Sequence, residues 1–129
     1  MSKTLKRLFL LLLVLAPMFL VASCAPNANP DKAKEALEEK NYIVAKLPTS
    51  TYEELGGLET VVTGTKMNGL EVEEAIIIFY FESSKDASKA WEEAKEEMSE
   101  GLKDEEDVVA KKSGKMIYVG TKQAVKDAR

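Results

Sequence analysis

Cys24 is the one thiol in a chain of 129 residues that contains no histidine, and these two facts decide which chemistry is open to it. Ser-His-Asp and Cys-His nucleophilic systems, histidine-based metal sites, Cys₄ zinc sites and dithiol redox chemistry all need residues that are missing. What remains is a serine-lysine pair or a pair of carboxylates. Beyond the leader the serines are Ser50, Ser83, Ser84, Ser88, Ser99 and Ser113. All fall at expected caps, turns or helix faces, where a hydroxyl is used in local hydrogen bonding. Asp104-Glu105-Glu106-Asp107 is the densest acidic cluster. Adjacent carboxylates diverge, and no Asp-x-Asp-x-Asp-Gly loop follows to converge them on a hard cation. Gly56-Gly57 and Gly120 lack the frames that cradle phosphate. No catalytic residue, metal or cofactor is expected, and the reading is of a protein that is not an enzyme.

The surroundings of Cys24 are more specific. Lys3, Lys6 and Arg7 lead into Leu8 to Leu20, a run without charge or hydrogen-bonding side chains, and Val21-Ala22-Ser23 then precede the cysteine. A positive start, an apolar run and small residues are the parts of an export signal. A retained transmembrane helix is the competing reading, but the uncharged stretch is short for a bilayer and contains Pro17. Val21-Ala22-Ser23-Cys24 resembles the lipobox of bacterial lipoproteins. The resemblance covers roughly the first 25 residues and implies a diacylglyceryl group on the Cys24 sulfur, cleavage by signal peptidase II before it, and acylation of the new amino terminus. Val21, Ala22 and Ser23 would be the peptidase recognition residues. Two or three acyl chains would anchor the protein permanently, since each buried CH₂ contributes about 0.8 kcal/mol. The implied location is the extracytoplasmic side of a bacterial envelope, and Ala25 in place of an aspartate points to the outer membrane in a two-membrane organism.

Residues 1–23 are thus read as a type II signal peptide, 24–29 as the lipidated cysteine with a short polar tether, and 30–129 as one domain. The leader holds 3 of the 18 basic residues and none of the 22 acidic ones, so the remainder carries −7 (15 minus 22). A net acidic body argues against nucleic acid as a partner, because such binding depends on basic residues displacing counterions. Lys111, Lys112 and Lys115 flank an expected turn and read as solvated hairpin-tip charges.

The elements that position these residues follow from local pattern. Asn29-Pro30 reads as an N-cap with a first-turn proline, opening a helix to about Lys40 that Asn41 ends in the left-handed region. Tyr42 to Leu47 reads as a strand stopped by Pro48, and Ser50 with Glu53 as a capping box for a short turn. Leu58 to Met67 and Leu70 to Glu82 flank Asn68-Gly69, a strong hairpin signal. Ala75 to Phe81 carries one polar group, the Tyr80 hydroxyl, and so wants cover on both faces as a central strand. Ser83 or Ser84 caps a long helix with Ala87, Ala90, Trp91, Ala94, Met98 and Leu102 on one stripe. Asp107 to Lys112 and Lys115 to Gly120 form a second hairpin around Ser113-Gly114, and Thr121 caps a last short helix. Together these predict an α+β two-layer sandwich, with an antiparallel sheet of about five strands and helices on one face. The general architecture is similar to the ferredoxin-like folds.

Trp91 reads as core. Tyr52, beside Gly56-Gly57, reads as an exposed aromatic for contact with a partner. The function expected is a lipid-anchored, protein-binding or accessory module of the envelope. Two alternatives stand beside it: a small-ligand or cation receptor with a pocket lined by Tyr52 and the 56–70 region, and a serine-lysine hydrolase.

Overall fold

The computed structural model describes residues 25–129. Asn29 opens helix α1 (Pro30–Glu39) as its sequence suggests: the side-chain oxygen accepts from the amides of Asp31 at 2.9 Å and Lys32 at 3.4 Å. These bonds satisfy amides that have no partner within the helix. Beyond the helix Asn41 takes φ 69°, reversing the chain into strand β1 (Ile43–Leu47). Pro48 leads into a 3₁₀ turn, Thr49–Tyr52, without a side-chain cap, so the expected Ser50–Glu53 capping box does not form. Strands β2 (Leu58–Asn68) and β3 (Glu71–Phe81) follow, each 11 residues long. Helix α2 (Ser84–Gly101) is capped by Ser83, whose Oγ accepts from the Asp86 amide at 3.1 Å and donates to the Asp86 carboxylate at 2.9 Å. The chain closes with β4 (Val108–Ser113), β5 (Met116–Thr121) and α3 (Lys122–Asp127), the last capped by Thr121.

The five strands form one antiparallel sheet in the order β1-β2-β3-β5-β4. The fold is α+β, with three helices packed against that sheet. β3 is central, and its side chains alternate between two cores. Ile76, Ile78 and Tyr80 face α1 and α3 together with Leu37, Val62 and Tyr118. Phe79 and Phe81 face α2 with Val61, Ala87, Ala90 and Ile117. The helices therefore cover both faces, not the single face expected for a two-layer sandwich. The reason lies in β3 itself, which has apolar side chains at both parities and would leave one set in water under one-sided cover. The ferredoxin-like resemblance extends to one half: β3, α2 and β4 form a crossover with β5 inserted between the strands, whereas β1, β2 and β3 are a meander.

Both hairpin loops are displaced by one residue from the expected Asn-Gly and Ser-Gly turns. Asn68 pairs with Glu71 and Ser113 with Met116, so the loops are Gly69-Leu70 and Gly114-Lys115. Gly69 and Gly114 carry the positive φ, 67° and 59°. A Gly-X loop needs that conformation at its first position.

Candidate functional site

The sheet is ragged at one end. β1 pairs with β2 only over Val61–Thr65, and β5 pairs with β3 only over Ile76–Tyr80. Past these limits β2 and β3 have only each other, and the chain continues as a two-stranded ribbon to the Gly69-Leu70 loop. A register shift between Lys66 and Met67 sets Met67 directly opposite Val72. Among the described residues the large exposed apolar side chains are Leu70 at 99%, Ile43 at 70%, Val72 at 58% and Met67 at 42%. Three of the four lie on the ribbon. A lone exposed leucine needs no explanation, but three at the tip of one projection form a patch.

Charge frames this patch. Glu71 and Glu73 are exposed along β3, and Glu74 lies opposite Lys66. At the ribbon's base the Lys66 ammonium sits 5.8 Å from the centre of the Tyr42 ring. The Tyr42 hydroxyl donates to the Asp127 carboxylate at 2.7 Å, which ties the end of α1 to α3. Burial first, then the hydrogen bond and charge of Asp127, push the Tyr42 phenol well above its usual range. Asp31, bonded to Lys46, titrates below the ordinary aspartate value because that bond and the lysine's charge favour the carboxylate.

The opposite end of the sheet receives the start of the described chain. Pro26 is buried, and Ala25 packs on the core that faces α1 and α3. The Asn27 amide donates to the Ala128 carbonyl at 2.8 Å, and the Tyr80 hydroxyl donates to the Asn27 carbonyl at 2.8 Å. Residues 25–27, read in the sequence as a polar tether, are thus held against the domain. Glu71 at the ribbon and Tyr80 beside Asn27 are nine residues apart on one strand, which corresponds to about 30 Å.

Cys24, Val21, Ala22 and Ser23 lie outside the described residues. Tyr52 is half-buried, and its ring stands edge-on to Phe79 with centroids 5.1 Å apart and planes at 82°. Much of its surface is spent on the core under α2, so it offers less to a partner than an exposed aromatic would. Trp91 is half-buried on the same core, as its position on the helix stripe implies. The cavity beside Gly56 is lined by Glu54, Leu55, Asp86, Lys89, Ala90 and Glu93 and measures about 110 Å³. Drug-sized ligands occupy roughly 300–1,000 Å³. Among the described residues no three carboxylates converge as a metal site, and no helix is long and apolar enough to cross a membrane. Comparison with protein-family models, with curated proteins and with solved structures finds no match.

Sequence reasoning missed the ribbon. Its signal was present as Met67, Leu70 and Val72 set among glutamates, but the overhang depends on where β1 and β5 stop.

Proposed function

We propose that this protein is a lipid-anchored, non-enzymatic envelope protein that docks a protein partner through the apolar tip of the β2–β3 ribbon. The observation that carries the reading is the exposure of Met67, Leu70 and Val72 on a projection at the end of the sheet opposite residue 25. Acyl chains on Cys24 would hold the end bearing Ala25 at the bilayer, and the ribbon would then reach into the aqueous space. Its glutamates disfavour an anionic lipid surface and suit a partner whose apolar cleft is rimmed by basic side chains.

A photocrosslinking residue placed at Leu70 in the intact producing cell tests this reading. A single protein adduct should form at position 70, vanish when Val72→Glu is added, and be absent when the crosslinker stands at Glu92 on α2. Adducts equally abundant from both positions, or none from position 70, contradict it.

A further inference from the structure

The start of the described chain meets the domain beside its most basic corner. A groove of about 400 Å³ is lined by Ala25, Pro26, Asn27, Ala28, Ser113, Met116 and Arg129. Ser113 closes β4, so the groove borders the Gly114-Lys115 loop. Lys111, opposite Tyr118 on the face of the sheet that carries the groove, is exposed, as are Lys115 and Arg129, whereas Lys112, opposite Ile117, belongs to the α2 face. The acid on α3, Asp127, keeps its charge but is turned toward the Tyr42 hydroxyl and the Gln123 amide, which donate to it at 2.7 and 3.0 Å. Glu59 stands at the same end near the start of β2, on the other side of β3 from β5, while Glu82 follows Phe81, whose amide donates to the Lys115 carbonyl at 2.8 Å, and so adjoins a corner where Lys111, Lys115 and Arg129 outnumber it. The acidic balance of the body is therefore not uniform. Glutamates crowd α2 and the ribbon, while one corner beside residue 25 is basic.

We propose that this corner, formed by Lys111, Lys115 and Arg129, seats on anionic lipid headgroups and fixes the orientation of the domain at the bilayer. The inference rests on the lipid-anchor reading and deepens it. Residue 24 is one Cα step, about 3.8 Å, from Ala25. Asn27 is hydrogen-bonded to the domain, Pro26 is buried and Ala25 packs on the core, so an acylated Cys24 would attach directly to a held segment. The acyl chains supply the attachment. The basic corner supplies direction, because charge at a lipid surface acts over roughly 8 Å at physiological ionic strength. So seated, the domain holds its ribbon upright, with the tip about 30 Å further out along β3.

Full-length protein, processed in the producing cell, would be reconstituted into vesicles of phosphatidylcholine alone or of an equal mixture with phosphatidylglycerol. Lysine acylation by a soluble ester, read by peptide mass spectrometry, reports which face is covered. On the anionic vesicles labelling of Lys111 and Lys115 should fall several-fold relative to neutral vesicles and recover in high salt, while Lys103, beyond the far end of α2, labels equally on both. The double variant Lys111→Glu, Arg129→Glu should lose most of the protection at Lys115 while still floating with the lipid. Flotation with equal labelling on both vesicles, or protection unchanged in the double variant, overturns the orientation alone. Failure to float with either vesicle overturns the anchor and the orientation together.

Discussion

Tyr80 shows how one hydroxyl can tie the segment before α1 to the central strand. The residue is 3% exposed, and burial pushes its phenol well above the ordinary value, so it stays protonated and keeps donating to the Asn27 carbonyl. Removing the donor in Tyr80→Phe leaves that carbonyl without its partner. The expected loss is about 1 kcal/mol in urea unfolding, with faster proteolysis confined to the segment before Pro30. Unchanged unfolding together with unchanged cleavage contradicts the bond's role. Tyr42 and Tyr80 also make the fold sensitive to alkaline pH. Both phenols have folded values raised above the unfolded value near 10. Their stabilisation is therefore complete below about pH 10 and is lost as pH rises from there toward the folded values. Absorbance titration near 295 nm should show these two tyrosines ionising only as the protein unfolds. In Tyr42→Phe one of those late transitions should disappear.

At the scale of elements, close packing between strands and helices leaves some positions without room for a single methyl. A Cβ on Gly120 would lie 2.8 Å from the Ala75 carbonyl oxygen and 2.9 Å from the Ile76 Cα, both parts of the neighbouring strand β3. Gly120→Ala should cost about 1–3 kcal/mol by overpacking, measured as a fall in Tm. Gly101, at the end of α2, has open space around its Cβ position. Gly101→Ala should leave stability unchanged or raise it by up to about 1 kcal/mol, because alanine loses less backbone freedom in a helix. If both substitutions shift Tm alike, the packing account is wrong.

Much at this scale was legible in local sequence, because caps, turns and strand alternation are read from neighbours in the chain. Asn29-Pro30, Asn41, Ser83 and Thr121 mark the positions where elements begin and end. The run Ala75 to Phe81 announced a strand with two buried faces. The step to helices on one face ignored that demand, since an amphipathic stripe says that a helix buries one side but not which side of a sheet receives it. The one-residue displacement of both loops follows from the register of long strands, which no local signal sets. The same holds for the candidate site. Leu70 was read as the start of a strand and proves to be its turn, nearly fully exposed.

For the whole molecule the arrangement is polar in the geometric sense. One end of the sheet carries Ala25 and the basic β4–β5 corner, and the other carries an acidic ribbon with an apolar tip. A partner-binding role assigned to that tip predicts that Leu70→Asp leaves Tm nearly unchanged, because the side chain is 99% exposed, while it abolishes the adduct formed by a crosslinking residue placed at Val72. A large fall in Tm would instead make Leu70 a structural residue. Both the partner reading and the orientation at the bilayer depend on lipid at position 24. The intact mass and amino-terminal peptide of the protein isolated from its own membrane test that dependence most directly. The account predicts a chain that starts at Cys24 and bears a diacylglyceryl thioether; a free thiol at that position, or residues 1–23 still attached, contradicts it.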